Sequence, residues 1–153
     1  MNKVVALTGR SECGKDYLAD YLIKFHGYVR VSFSDQLKNI AETIFPLCKA
    51  NTPPESKNEI IPEYNKTPRD IWKSLDHLRE TDPEVFVRGA IENVMGHLKN
   101  NQNVIITDIR KPVEYNSAIK LGAVIIKIIA GAGRNETTYK DEDVIDTFDP
   151  NFT

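Results

Sequence analysis

The chain has 153 residues, of which 27% are charged, and its formal net charge is −2 at pH 7. This length is typical of one domain with a real core, and the absence of a basic excess argues against a nucleic-acid partner. Because no apolar run approaches the roughly 20 residues of a membrane span, no signal peptide is evident and the two cysteines fit no metal or disulfide pattern, we expect a cytoplasmic protein without a membrane partner.

The first predicted elements are a strand at residues 4–8, a glycine-framed loop and a helix beginning near Leu18. This layout is typical of a phosphate-binding P-loop, since glycines let the backbone approach an anion and the helix N-terminus directs positive dipole at it. Lys15 adds a full charge for the β- and γ-phosphates. A glycine-rich turn that only caps a helix is the alternative. The predicted ATP phosphate-binding residues are Gly9, Arg10, Ser11, Glu12, Cys13, Gly14, Lys15, Asp16 and Tyr17.

The middle of the chain predicts a strand at residues 28–33 and a helix that begins near Ser34 and ends before Pro46. Residues 51–66 are polar and proline-containing, which indicates a loop or mobile flap. Thr67 is the expected N-cap of the next helix, and Asp82-Pro83-Glu84 is read as the start of another. The buried face of the helix after Thr67 is expected to contain Ile71, Trp72, Leu75 and Leu78.

The last third alternates strand and helix again. Residues 104–107 and 124–129 are apolar runs typical of buried strands, separated by a helix that Lys111-Pro112 opens. Residues 131–143 are polar and glycine-rich, so we expect them to be mobile. The alternation predicts a single α/β domain over residues 1–153 with a central parallel sheet, whose ligands bind at the carboxyl ends of the strands.

Two charged residues follow the run at 104–107. Asp108 lies where a carboxylate holds Mg²⁺ directly or through water in P-loop proteins, and a carboxylate that caps the turn into the next helix is the alternative. Arg110 is placed to reach a phosphate, and surface ion pairing is its alternative reading.

These segments, in this order, resemble the deoxynucleoside monophosphate kinases of bacteriophages, and the Gly-Lys-Asp form of the loop is usual in that family. Similar pieces occur in animal-type phosphomevalonate kinases. The resemblance implies an adenylate-kinase-like three-layer P-loop kinase, with ATP and Mg²⁺ serving phosphoryl transfer. The segments that carry it are residues 14–16 (GKD), 32–38 (SFSDQLK), 67–70 (TPRD), 82–88 (DPEVFVR) and 107–114 (TDIRKPVE).

The resemblance also implies roles for individual residues. Asp16 joins Asp108 at the metal, and Asp35 orients the acceptor or acts as base, unless it is only a carboxylate at a helix N-terminus. Two further readings come from position in the sequence: Arg134 lies in the segment 131–143 and is expected to close over the transferring group as a lid, and Trp72, on an apolar helix face, is read as core in preference to a base-stacking platform. The predicted catalytic residues are Lys15, Asp35, Arg110 and Arg134; the predicted acceptor-binding residues are Lys38, Arg69, Arg79 and Arg88, of which the last two have a surface-charge alternative.

Two features depart from the family. Tyr17 stands where a Ser or Thr is common, and we expect its phenol to pack on the helix in preference to binding metal. The chain stops at Thr153, where the last strand of the family would begin, so the sheet is expected to lack that strand. Three functions follow: a kinase of (deoxy)nucleoside monophosphates, a kinase of another small phosphorylated metabolite such as phosphomevalonate, or a nucleotide-binding protein that has lost catalysis.

Overall fold

The computed structural model describes residues 3–10, 13–129 and 148. The chain forms two compact units, one of residues 1–33 with 90–153 and the other of residues 34–89. Each unit is described by itself below. The single domain expected over residues 1–153 stays a prediction.

The described residues form four strands and six helices. In chain order these are β1 (Val4–Thr8), α1 (Lys15–His26), β2 (Tyr28–Val31), α2 (Asp35–Ile44), α3 (Pro68–Asp76), α4 (Leu78–Thr81), α5 (Val87–Lys99), β3 (Asn103–Ile109), α6 (Pro112–Lys120) and β4 (Val124–Lys127).

The first unit is built on a parallel sheet of strand order β2-β3-β1-β4. The connection from β1 to β2 runs toward one edge of this sheet, and the connection from β3 to β4 runs toward the other. Because such crossovers are almost always right-handed, α1 and α6 cover opposite faces. On the α1 face, Ala19 packs with Val5, Leu7 and Ile105. The predicted α/β fold with helices on both sides of a central parallel sheet is confirmed.

The register between β1 and β3 changes at the carboxyl end of the sheet. Ala6 pairs with Ile106 but Thr8 pairs with Ile109, so β3 contains one more residue than β1 between these two pairs. An extra residue of this kind bends the strand and re-aims a neighbouring side chain. Asp108 lies within this irregular stretch, at the edge where ligands bind in parallel sheets.

The second unit has a separate small core between α2 and α3. Ala41, Cys48 and Ile71 are buried there, and burial raises the pKa of the Cys48 thiol. Thr67 caps α3 as expected: its hydroxyl accepts from the Asp70 amide, and the Asp70 carboxylate accepts from the Thr67 amide. Residues 51–66 contain turns and an isolated bridge to Lys66, with no helix or strand, which agrees with the expected loop.

Three boundaries differ from the sequence prediction. Strand β2 ends at Val31, two residues early. The helix expected at Asp82 begins at Val87, because the Asp82 carboxylate accepts from the Glu84 amide and stabilises a turn there. The helix after Thr67 is interrupted at His77, so Leu78 opens the separate helix α4 and is exposed, and its assignment to the buried face was wrong.

Some predictions fall outside the described residues. They are the loop positions Ser11 and Glu12, the segment 131–143 with Arg134, and the expected absence of a last strand, which concerns residues beyond Ile129. Within the described part of the chain, no helix is long and apolar enough to cross a membrane.

Candidate functional site

The loop after β1 has the backbone that a phosphate-binding loop needs. Gly9 has φ 150°, and a Cβ there would lie 2.5 Å from the Ile128 carbonyl oxygen and 2.7 Å from the Cys13 sulfur. Gly14, the N-cap of α1, has φ 103°, and a Cβ there would meet nothing within 4 Å. The first glycine therefore allows close backbone packing, and the second turns the chain into the helix beside open space.

Lys15 lies within this loop. Lys15 is buried, and its ammonium group donates to the carbonyl oxygens of Gly9 at 2.6 Å and Arg10 at 2.8 Å. The same nitrogen is 3.6 Å from the Cys13 sulfur. The loop thus holds a full positive charge against the N-terminus of α1, where the helix dipole adds to it. Such a position attracts and orients an anion.

Asp16 and Tyr17 occupy the first turn of α1 and are exposed. The exposed phenol of Tyr17 corrects the expectation that it packs on the helix. The reason is geometric, because the buried face of α1 is set by Lys15 and Ala19, and position 17 points away from both. The Asp16 carboxylate is accessible to solvent, as a water-mediated metal ligand would be.

Asp108 connects two strands of the first unit. Its Oδ2 accepts from the Ser32 hydroxyl at 2.6 Å, and its Oδ1 accepts from the Phe33 amide at 2.9 Å. Thr8, the last residue of β1, donates its hydroxyl to the Ile109 carbonyl at 3.0 Å. Asp108 therefore lies next to Ile109, which pairs with Thr8, the residue just before the glycine loop. Sequence reasoning did not find Ser32 in this arrangement.

Glu114 caps the turn between β3 and α6, a role that the alternative reading gave to Asp108. The buried Glu114 carboxylate accepts through Oε2 from the amides of Arg110 at 2.8 Å and Lys111 at 2.9 Å. The signal was present in the sequence, because a Glu two residues after a Pro that opens a helix is placed to bond the first free amides. The Arg110 backbone is fixed in this way.

The Arg110 side chain itself is exposed. In the described residues its guanidinium makes no ion pair or hydrogen bond, so the surface-ion-pair alternative finds no partner there. An unpaired guanidinium at the carboxyl end of β3 is suited to a phosphate.

The described residues contain no group of three or more His, Cys, Asp or Glu side chains that could hold a metal ion. Asp16 and Asp108 nevertheless fit the way Mg²⁺ is held beside nucleotides, through one or two carboxylates together with water and phosphate oxygens. A carboxylate has about four lone-pair positions, and the hydrogen bonds from Ser32 and Phe33 occupy two of those of Asp108.

In the second unit, two of the predicted acceptor-binding cations are not engaged with carboxylates. The Lys38 ammonium lies 4.9 Å from the centre of the Trp72 ring. Arg69 is half-buried at the second position of α3, and its guanidinium has no hydrogen-bond or ion-pair partner in the described residues. Trp72 packs against the core of this unit, in line with its reading as a core residue.

The other two predicted cations are engaged within the second unit. Arg79 donates through Nε to Asp76 at 2.6 Å and lies 5.0 Å from the Phe86 ring centre. Arg88 pairs with Asp82 and with Glu84, and the hydrogen bond to Asp82 raises the pKa of the Arg88 guanidinium. Arg88 thus agrees with its surface-charge alternative, whereas the largely buried Arg79 side chain has an internal structural role.

Asp35 is the first residue of α2 and is exposed. A carboxylate there interacts favourably with the helix dipole, which is the simpler of its two readings. Its role as a base stays a prediction.

The parallel sheet, the loop after β1 and the buried Lys15 together define a P-loop fold of the kind found in kinases. No protein-family model matches this chain, and comparison with curated proteins gives no match. Among solved structures it is similar to a dephospho-CoA kinase from Campylobacter jejuni, at 14% identity and a TM-score of 0.34, over 83% of this chain and 66% of that one. The chain thus spans just under two thirds of that kinase, and a likeness of this size says nothing about substrate.

Proposed function

We propose that the protein is an ATP-dependent kinase of (deoxy)nucleoside monophosphates, which transfers the γ-phosphoryl group to the acceptor phosphate and releases ADP. The observation that carries the proposal is the Lys15 ammonium held inside a glycine loop at the start of α1. Phosphoryl transfer depends on positioning and on neutralising charge, so a preformed cationic loop supplies most of what the donor phosphates require.

The donor side uses residues of the first unit. On approach of ATP, Lys15 exchanges the carbonyl oxygens of Gly9 and Arg10 for phosphate oxygens, which are better acceptors because they are ionised. The Arg110 guanidinium, which has no ion-pair or hydrogen-bond partner among the described residues, is placed to bind the same charge. Mg²⁺, held by Asp16 and Asp108, would neutralise the β- and γ-phosphate oxygens.

The acceptor side is assigned to Lys38 and Arg69. The acceptor phosphate carries negative charge of its own and needs cations that are not already neutralised by carboxylates. Lys38 and Arg69 meet that condition in the second unit, whereas Arg79 and Arg88 are paired. The resemblance in sequence to bacteriophage deoxynucleoside monophosphate kinases supports the nucleotide as acceptor.

The test is an ADP-release assay with MgATP and each of the four deoxynucleoside monophosphates, with phosphomevalonate as a parallel acceptor. We expect ADP release that depends on at least one nucleotide and is lost in Lys15→Ala. Release with phosphomevalonate alone would reassign the acceptor. ATP binding without release to any acceptor would show a binding protein in place of an enzyme.

A further inference from the structure

The loop of residues 51–66 is held against the core of the second unit. Ile61 and Tyr64 pack against the buried cluster between α2 and α3. The centre of the Tyr64 ring lies 5.3 Å from that of Phe45, and the Tyr64 hydroxyl accepts from the Leu47 amide at 3.2 Å. Within the loop, the Ile61 amide donates to the Lys66 carbonyl at 2.8 Å. With these contacts the loop can hold a functional side chain in a defined place.

The same loop completes the N-terminus of α3, where the first backbone amides of a helix need partners from outside it. The Arg69 amide donates to the Lys57 carbonyl at 3.1 Å, and the Asp70 amide donates to the Thr67 hydroxyl at 3.1 Å. The Thr67 amide donates to the Asp70 carboxylate, and Pro68 has no N–H group. All the first-turn amides are therefore engaged within the protein, so an anion at this helix must be bound by side chains.

The hydrogen bond between the Arg69 amide and the Lys57 carbonyl also brings two cationic residues side by side. Both residues are half-buried. The Asp70 carboxylate, which follows Arg69 in the chain, is engaged with the Thr67 amide. Because two like charges repel each other, an anion bound by both would stabilise the pair. A phosphate group suits this pair, since the planar guanidinium binds two of its oxygens and an ammonium group binds as a point charge.

We propose that Lys57 is a further acceptor-binding residue. Its ammonium group binds the phosphate of the acceptor together with the Arg69 guanidinium, and its carbonyl oxygen holds the Arg69 backbone in place. This role rests on the proposed function and adds a residue to the acceptor side of the site. Lys57 lies outside every sequence segment that carries the resemblance to phage kinases, so its role follows from the folded loop and not from a motif.

The first test combines steady-state kinetics with calorimetric titration of the full chain by each deoxynucleoside monophosphate. Lys57→Met removes the ammonium group and keeps an unbranched side chain and the backbone carbonyl. We expect the KM and the Kd of the acceptor to rise at least ~10-fold, because a charge-assisted contact to phosphate is lost, and the KM of ATP to stay unchanged. Lys49→Met is the matched control, since Lys49 is an exposed lysine of the same unit that pairs with Glu42; it should leave all three constants unchanged.

The outcomes separate the role of Lys57 from the proposed function. If the wild type phosphorylates a deoxynucleoside monophosphate and Lys57→Met has the same acceptor KM, the role of Lys57 is overturned and the proposed function stands. Equal rises in the KM of acceptor and ATP would also overturn it, because they would show a general disturbance of the fold. A wild type that neither binds nor phosphorylates any of the four nucleotides would overturn both.

The second test addresses the loop contact through hydrogen exchange of the Arg69 amide, which should be protected although first-turn amides commonly exchange fast. Tyr64→Leu removes the ring contact with Phe45 and the hydroxyl that the Leu47 amide bonds. This variant should lower that protection and raise the acceptor KM, with the KM of ATP unchanged. Tyr21→Leu, on the exposed side of α1, is the control, and circular dichroism checks that both variants are folded. An unprotected Arg69 amide in the wild type, or an acceptor KM that Tyr64→Leu leaves unchanged, would overturn the role of the loop.

Discussion

The Asp108 carboxylate accepts a hydrogen bond of 2.6 Å from the Ser32 hydroxyl, and its other oxygen accepts one of 2.9 Å from the next amide, that of Phe33. Hydrogen bonds to an ionised acceptor are stronger than those between neutral groups. Asp108 therefore joins the end of β2 to the end of β3, at the edge of the sheet where the glycine loop begins. The residue expected to hold a metal is also a structural connection.

We expect Asp108→Ala to lower the free energy of unfolding by about 2–3 kcal/mol, because it leaves the Phe33 amide and the Ser32 hydroxyl without their acceptor. Asp108→Asn should cost less, since its carbonyl can still accept from the Phe33 amide and its amino group can donate to the Ser32 oxygen. Urea unfolding of both variants measures the difference. Equal stability of wild type and Asp108→Ala would contradict the structural role.

The metal role of Asp108 is tested separately with Asp108→Asn, which should raise the Mg²⁺ concentration needed for half-maximal turnover. Ser32→Ala is the control, because it removes the hydrogen bond from Ser32 to Asp108 and keeps the carboxylate. An equal shift in both variants would show that the effect comes from the lost hydrogen bond with Ser32 and not from the lost carboxylate charge. An unchanged Mg²⁺ dependence in Asp108→Asn would remove Asp108 from the metal site.

Lys15→Ala should reduce turnover by at least ~10²-fold, a loss typical of a removed charge that stabilises the transition state. The exposed Lys120→Ala on α6 is the control for the loss of one positive charge and should be fully active. Steady-state ADP release measures both. Comparable activity in a folded Lys15→Ala protein would remove the loop from the active site.

Gly9→Ala should lower the free energy of unfolding by at least ~2 kcal/mol, because its Cβ would lie 2.5 Å from a backbone carbonyl oxygen at a backbone angle that side chains rarely adopt. Gly96→Ala on α5 is the matched control. A Cβ there meets nothing within 4 Å, so the better helix propensity of Ala should stabilise the protein by about 0.5–1 kcal/mol. Thermal unfolding compares the two, and a stable Gly9→Ala protein would contradict the described loop.

The sequence predicted the elements whose signals are local. Strand β1 and the starts of α2, α3 and α6 lie where apolar patterning and capping residues placed them. The failures arose where one residue has two possible local roles. Asp82 was read as opening a helix, but its side chain stabilises a turn, and the helix begins at Val87.

Candidate site residues that lie close together in sequence could be proposed from their spacing, whereas a contact made only through the fold could not. Gly9, Gly14 and Lys15 belong to one short stretch of sequence, so a local motif suggests them together. Ser32 and Asp108 are far apart in sequence and meet because β2 and β3 are neighbours, which no local pattern contains. The engagement of Arg88 with Asp82 likewise depends on the turn that replaced the expected helix start.

Acid should weaken the N-terminus of α3 through Asp70. The hydrogen bond from the Thr67 amide, and then that with the Thr67 side chain, lower the pKa of the Asp70 carboxyl below its ordinary value. Because the pKa is lower in the folded state, the stabilisation is complete above the unfolded-state pKa of about 4 and is lost as the pH falls through the folded-state value. Carboxyl NMR should show Asp70 titrating at lower pH than an unperturbed Asp.

Thr67→Ala tests the cause of that shift. It removes the hydroxyl cap and keeps the backbone amide, so the pKa of Asp70 should rise part of the way to its ordinary value and α3 should lose protection at its first turn. Thr43→Ala is a control, since the Thr43 hydroxyl donates to the Asn39 carbonyl within α2 and lies outside the α3 cap. An Asp70 pKa that does not respond to Thr67→Ala would place the cause in the backbone bond alone.

Arg69→Lys should raise the KM of the acceptor monophosphate at least ~10-fold and leave the KM of ATP unchanged, because Lys keeps the charge but lacks the planar fork that binds phosphate through two hydrogen bonds. The half-buried Arg69 guanidinium is free of carboxylates in the described residues, so the change removes no ion pair. Arg88→Lys is the control. Because Arg88 is already paired with Asp82, this substitution should leave both KM values unchanged. Steady-state kinetics with each substrate varied in turn measures the two effects. A loss confined to ATP would move Arg69 to the donor side, and a loss in Arg88→Lys alone would exchange the two assignments.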